Sequence, residues 1–128
     1  VLVTAGIIWK DSRVLICRRP AGKRMAGYWE FPGGKLEPRE TPPEGLKREL
    51  REELGIEALV SSELVRVSHE YEFGRVELIA LTVPQFTGEV KPTEHDEFAW
   101  VLPSELATYK LAPADLPIAA ILARQPPR

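Results

Sequence analysis

Glu49, Glu52 and Glu53 stand at i, i+3 and i+4, a spacing that at about 100° per residue gathers three carboxylates on one face of a helix. Like charges so placed cost about 0.2–0.5 kcal/mol per pair, and the last two lie where the helix dipole disfavours anions. A hard divalent cation offsets this repulsion, because Mg²⁺ takes carboxylate oxygens and leaves positions for water and substrate phosphates. The chemistry such a site suits is hydrolysis of a phosphate ester or anhydride. The competing reading is a solvated face on which Arg48 pairs with Glu44 and Glu52 at i±4 and nothing binds.

The element that must carry these acids is a helix from Thr41 to Gly55. Thr41 and Glu44 form a capping box, Pro42 occupies the first helical position, and Gly55 is a natural stop. Leu46, Leu50 and Leu54 give it one apolar stripe, so it lies on a partner surface. Val1–Trp9 and Arg13–Arg18 read as a hairpin turning at Lys10-Asp11-Ser12. Further strands are expected over Ala58–Phe73, Arg75–Val83 and Glu97–Leu102, a helix start at Pro103, and a last helix over Asp115–Ala123 with Asp115 as a candidate N-cap. Residues 20–28 and 32–43 read as loops, interrupted by Trp29-Glu30-Phe31. A mixed sheet flanked by helices, an α+β class, follows.

With 128 residues, the chain is expected to form a single domain. Hydrophobic residues at 44% and charged ones at 28% allow a true core, with no need for staples. Lys plus Arg number 17 against 19 Asp plus Glu, which argues against duplex nucleic acid as a partner. The single cysteine, Cys17, excludes an internal disulfide and fits a reducing, cytoplasmic setting, where it serves as strand filler. No apolar run approaches the roughly 20 residues of a membrane span, so no membrane partner is expected. Val rather than Met at position 1 leaves room for residues before it.

The acids belong to a wider frame: Gly34, five residues, Glu40, seven residues, Arg48-Glu49-Leu50, one residue, Glu52-Glu53, one residue, Gly55-Ile56. Leaving aside the apolar positions Leu50 and Ile56, the seven remaining identities at fixed spacing arise by chance about 10⁻⁸ times per start position when each residue occurs about once in 15. This frame resembles the box of the Nudix hydrolase superfamily without a gap. Gly33-Gly34-Lys35 is not a P-loop, since Leu36 stands where Ser or Thr must hold Mg²⁺. With Arg18-Arg19, Glu30-Phe31-Pro32-Gly33-Gly34-Lys35 and Leu111-Ala112-Pro113-Ala114-Asp115-Leu116-Pro117, the chain resembles the MutT-like branch from about Val1 to Ala123.

The resemblance implies an α/β/α arrangement and Mg²⁺-dependent hydrolysis, with Mn²⁺ able to substitute, of a nucleoside triphosphate to monophosphate and pyrophosphate. The substrate it implies is an oxidised nucleotide such as 8-oxo-dGTP, or CTP/dCTP, and the role is cleansing of the nucleotide pool, as a monomer or homodimer. Other Nudix substrates (ADP-ribose, dinucleoside polyphosphates) and a non-catalytic nucleotide sensor are the alternatives. Carried over by position, Glu49, Glu52 and Glu53 with the Gly33 carbonyl and Glu94 are the implied metal ligands, and Glu49 the implied base. Arg48 joins the catalytic group as structural partner of the carboxylates, because its guanidinium forks onto carboxylate oxygens and stays protonated. Arg19 and Arg75 are implied phosphate contacts, Gly34 and Lys35 line the substrate loop, Phe31 holds a base-contacting position, and Asp115 is a candidate base reader.

Two positions depart from the family pattern. Arg39 stands where many members have Gly, and Asp115 aligns with an Asn of the 8-oxoguanine-specific bacterial enzymes. An ionised Asp accepts hydrogen bonds and suits the amine of cytosine, whereas a protonated one suits 8-oxoguanine. His69 reads as a polar edge residue, His95 as a neighbour of the metal site through Glu94, and neither is assigned a role. Trp9, Trp29 and Trp100 are expected as packing aromatics.

Overall fold

Asp11 and Ser12 turn the chain with positive φ of 51° and 65°, the left-handed pair that a two-residue hairpin demands. They join β1 (Leu2–Lys10) to β2 (Arg13–Arg18) in the computed structural model, which describes residues 1–125. The strands pair at Trp9–Val14 and Lys10–Arg13 and then diverge. Along the rest of β1, loop 32–36 fills the gap: Gly6 N–H donates to the Pro32 carbonyl at 2.6 Å, Thr4 N–H to that of Gly34 at 2.8 Å, and Leu36 N–H to that of Leu2 at 3.1 Å. A glycine-rich segment is thus stitched into the sheet like a strand.

The remaining elements are β3 (Trp29–Glu30), α1 (Pro42–Leu54), β4 (Glu57–Leu59), β5 (Glu63–Tyr71), β6 (Gly74–Val83), β7 (Gln85–Thr87), β8 (Glu97–Val101) and α2 (Leu116–Arg124), with 3₁₀ turns at Pro103–Thr108 and Pro113–Asp115. The main sheet runs β3-β2-β1-β6-β5, with β8 also on β2. β1 and β6 are parallel, and the other pairs are antiparallel. β4 and β7 form a separate two-stranded ribbon.

Alternation along the strands sends side chains to two faces. Ala5, Ile7, Val14, Ile16, Leu78 and Ala80 meet Ile118 and Leu122 of α2 on one face. Ile8, Leu15, Cys17, Ile79 and Leu81 meet Leu46, Leu50 and Leu54 of α1 on the other. The three leucines are fully buried, each contributing about 1.5–3 kcal/mol. The mixed sheet between helices that was expected is what forms.

Several boundaries differ from expectation. The strand expected over residues 58–73 is broken into β4 and β5, with an irregularity between Glu63 and Val65. Pro103 opens a 3₁₀ turn in place of an α-helix. Asp115 stands at the N-cap position of α2, but its side chain makes no capping hydrogen bond, because it is turned inward toward Phe31.

Arg39 lies at φ 70°, exposed, in the left-handed region that favours glycine. The loop keeps its path with an L-residue at a cost of about 1–2 kcal/mol, partly offset by the greater entropy that glycine loses on folding. Arg39→Gly is expected to stabilise the protein by about 0.5 kcal/mol in urea unfolding, with activity unchanged; a destabilised variant would contradict this account of the loop.

Candidate active site

Glu49, Glu52 and Glu53 share one face of α1, and the helix that carries them is anchored at both ends. At its start, Glu44 N–H donates to Thr41 Oγ1 at 3.3 Å and Thr41 N–H to Glu44 Oε1 at 2.9 Å, completing the box. Its terminal carbonyls need partners, and the segment before β8 supplies them: Lys91 N–H bonds the Leu54 carbonyl and Thr93 N–H that of Glu53, both at 2.9 Å. This contact carries Glu94 and His95 to the helix end. At the other side of the cleft, a Cβ at Gly34 would run into the Glu49 carboxylate, and one at Gly33 into the Thr4 carbonyl. Both glycines are there for close approach, which lets loop and helix touch.

The three acids are not equivalent. Glu53 is buried and the Glu49 side chain is 16% exposed, whereas that of Glu52 is 60% exposed. Burial raises the Glu53 pKa far above the ordinary carboxylate range, and a hydrogen bond with Glu49 plus the charges of Glu49, Glu30 and Glu94 push it further. The cleft thus holds more negative charge than its own cations balance.

Arg48 organises the acids from the side. It donates through Nε to Glu40 Oε2 at 2.7 Å, through Nη2 to Glu40 Oε1 at 3.0 Å and the Lys35 carbonyl at 3.1 Å, and through Nη1 to Glu49 at 2.9 Å and Glu52 at 3.2 Å. Of the two pairings in the solvated-face alternative, that with Glu52 forms; Glu44 is instead taken by its cap. The Arg48 guanidinium first, and then the Glu37 N–H at 2.8 Å, hold the Glu40 pKa down at about 2, against an ordinary 4.5. A depressed carboxyl contributes stability that is fully present above about pH 4.5 and lost as pH falls through about 2. Glu40→Gln should therefore melt lower than wild type at pH 7, with the gap narrowing as pH drops from 4.5 toward 2. A gap independent of pH across that window would show that the ion pair contributes nothing.

Two joined cavities open beside these groups. The first, about 290 Å³, is lined by Glu49, Glu52 and Glu53, with Glu30, Glu94, Gly33, Arg19, Lys23 and His95. Lys23 pairs with Glu94 at 2.7 Å. The second, about 530 Å³, is more apolar and presents Phe31, Tyr71, Phe73 and Leu78 with Gly34, Lys35, Arg75 and Asp115. Its size is that of an ordinary small-molecule site. Arg19, Glu30 and Gly33 border both.

Of the candidate site residues, Arg19, Phe31, Gly33, Gly34, Lys35, Glu49, Glu52, Glu53, Arg75, Glu94 and Asp115 line one or both cavities, and Arg48 stands behind them on Glu49 and Glu52. Arg75, however, is exposed on the wall of the larger cavity, away from the carboxylates, while Arg19 sits at the junction. Asp115 is buried and accepts from Phe31 N–H at 3.4 Å. Burial first, then the charge of Glu30, raises its pKa well above the usual range, and the Phe31 N–H and Arg19 oppose this. Tyr71 supports that wall by accepting from Ala114 N–H at 2.9 Å. Cys17 is buried with its thiol pKa pushed up, which keeps it inert filler.

Glu30 and Lys23 belong to the site without having been assigned to it from sequence, and His95, expected as a neighbour of the metal site through Glu94 but given no role, lines it as well. For Glu30 a signal existed: Trp29 and Phe31 pack toward the α2 face, so alternation turns Glu30 to the α1 face. The approach of Lys23 depends on its loop and has no local signature, whereas for His95 the signal was the adjacent Glu94.

A model of the NUDIX domain matches residues 4–120. The chain belongs to the NUDIX domain family. It resembles the CTP pyrophosphohydrolase of Escherichia coli (strain K12), with 45% identity over 116 residues, 91% of this chain and 86% of that one. It also resembles the 8-oxo-dGTP diphosphatase of Proteus vulgaris, with 40% identity over 89 residues, 69% of this chain and 80% of that one. Among solved structures, the MutT protein of Methanosarcina mazei Go1 superposes with a TM-score of 0.88 at 28% identity, covering 97% of this chain and 93% of that one. The E. coli ORF135 protein superposes with a TM-score of 0.84 at 44% identity, covering 93% and 85%.

This Nudix protein is a hydrolase by kinship with those enzymes, a family generally dependent on divalent metal. In its Nudix frame Gly34 gives Glu49 room and Glu40 holds Arg48, while Leu50 anchors α1. Gly55 ends the helix at φ 71°.

Proposed function

We propose that this Nudix hydrolase cleaves nucleoside triphosphates to nucleoside monophosphate and pyrophosphate with Mg²⁺, acting on cytosine nucleotides or on oxidised purine nucleotides such as 8-oxo-dGTP. The observation that carries the reading is the pair of joined cavities, one acidic and one apolar, sharing Arg19, Glu30 and Gly33. Phosphates with their cation suit the first and a base suits the second.

The donors fit a hard cation, since Glu49, Glu52, Glu53, Glu94 and the Gly33 carbonyl offer oxygen alone. The crowding of Glu49, Glu30 and Glu94 around the buried Glu53 supports the same fit. Among the described residues no three His, Cys, Asp or Glu side chains form a ready-made cage; Arg48 draws Glu49 and Glu52 onto its own guanidinium. Once bound, Mg²⁺ supplies charge neutralisation at phosphate oxygens and eases deprotonation of water, and Mn²⁺ supplies the same.

Glu49 takes the proton of the attacking water, with Arg48 fixing its carboxylate from behind. Arg19, Lys35 and Arg75 bind the phosphates and the outer edge of the substrate, Gly34 gives the loop its closeness, and Phe31 offers an apolar surface to the base. Asp115 reads the base edge. As an acceptor it suits the cytosine amine, the reading favoured by the relative named for CTP. A neutral carboxyl both donates and accepts, which suits 8-oxoguanine, and the buried setting of Asp115 favours that form.

The test is a comparison of kcat/KM for CTP, dCTP, 5-hydroxy-dCTP, dGTP, 8-oxo-dGTP and ADP-ribose with Mg²⁺. Preference for either the cytosine group or the oxidised purine supports the proposal and chooses between its two forms. Preference for ADP-ribose, or tight binding without any product, overturns it.

A further inference from the structure

Glu30 stands on the partition between the two cavities, and what holds it there is His95. The His95 side chain is 4% exposed, and its Nε2 lies 2.9 Å from Glu30 Oε2. A carboxylate can only accept, so Nε2 carries the proton and donates. The same carboxylate receives Arg19 Nη1, 3.2 Å from each oxygen, and Arg19 Nε donates to the Arg24 carbonyl at 2.6 Å. The Arg19 guanidinium is thereby fixed at two of its nitrogens, at the point where both cavities meet. The other ring nitrogen of His95, Nδ1, is buried and has no hydrogen-bond partner among the described residues, so the ring is oriented through Nε2.

We propose that His95 is a positioning residue for substrate: by holding Glu30 it fixes Arg19 at the partition, where the phosphate next to the sugar must pass. The inference rests on the reading of the joined cavities as a nucleoside triphosphate site. Its physical content is a competition. Glu30 lines the same cavity as Glu49, Glu53 and Glu94, and a carboxylate left loose there swings toward any cation among them. The His95 donor commits Glu30 to Arg19, which keeps the guanidinium aimed and spares substrate the entropy of ordering it. His95 arrives by way of the Thr93 contacts with the α1 carbonyls, so the same segment that closes the helix end sets the substrate arginine.

Gln and Asn variants separate this role from mere filling of space. A Gln at 95 places its amide N–H near the position of Nε2, and an Asn places it near Nδ1. Expected for His95→Gln is a KM within about threefold of wild type, and for His95→Asn and His95→Ala a KM raised about tenfold, with kcat changed less than about threefold in all three. In a Glu30→Ala background the Asn substitution should add nothing. Nitrogen NMR of the unaltered protein should show His95 as the Nε2–H tautomer. Equal KM for Gln and Asn, a loss confined to kcat, or an Nδ1–H tautomer overturns the proposal. If the unaltered protein hydrolyses no nucleoside triphosphate, the functional reading itself falls and this role with it. An active wild type with indistinguishable Gln and Asn variants removes the role of His95 alone.

Discussion

Glu53→Gln is expected to lower kcat by about 10²–10⁴-fold, corresponding to about 3–5 kcal/mol of transition-state stabilisation drawn from a metal centre. Glu53 is the most buried of the three helix acids and lies against Glu49 at the wall of the smaller cavity. Gln keeps the shape and can donate to Glu49, so the fold should survive. Without metal the variant should melt at or above the wild-type temperature, since a buried group in a repulsive cluster has been neutralised. Steady-state kinetics and a melting curve in chelator check both halves. Near-wild-type turnover would remove Glu53 from the machinery, and a much lower melting point would make it a structural residue.

Chelation is expected to bring turnover to background, with full recovery on adding Mg²⁺. The cause is again the charge surplus: Glu30, Glu49, Glu52, Glu53 and Glu94 face Arg19 and Lys23 in the smaller cavity. Binding to the folded state alone also stabilises it, by about 2.7 kcal/mol at a hundred times Kd, which amounts to several degrees in Tm for a chain of this size. Wild type should show this Mg²⁺-dependent rise, and Glu53→Gln much less of it. Calorimetry with and without Mg²⁺ is the check; an unchanged Tm together with chelator-resistant turnover would contradict a metal site here.

The parts of the site that rest on local chemistry were legible in the sequence. The Thr41–Glu44 box, the leucines at every fourth position and Gly55 define α1 by interactions within a few residues, and all form as expected. The spacing of Glu49, Glu52 and Glu53 on that helix needed nothing further. What escaped depends on contacts between distant segments. β3 is two residues long, so the alternation of Trp29, Glu30 and Phe31 gives the face of Glu30 but not its place in the sheet, which comes from its pairing with Cys17. His95 is fixed by a helix end some 40 residues earlier, through Thr93 and Glu53. Asp115 shows a related limit. Its residue type and position fit a helix cap, yet Phe31 offers an N–H from the interior and the side chain turns there. Arg39 shows the converse: a loop that favours glycine keeps its course with an arginine at φ 70°.

The most direct single measurement is the identity of the products when the protein meets CTP, and separately 8-oxo-dGTP, in Mg²⁺, resolved by ion-exchange chromatography. Equimolar nucleoside monophosphate and pyrophosphate from at least one of them, abolished by chelator, is the expected result. Nucleoside diphosphate with inorganic phosphate, or no product from either, would contradict the assignment of this double cavity to nucleoside triphosphate pyrophosphohydrolysis.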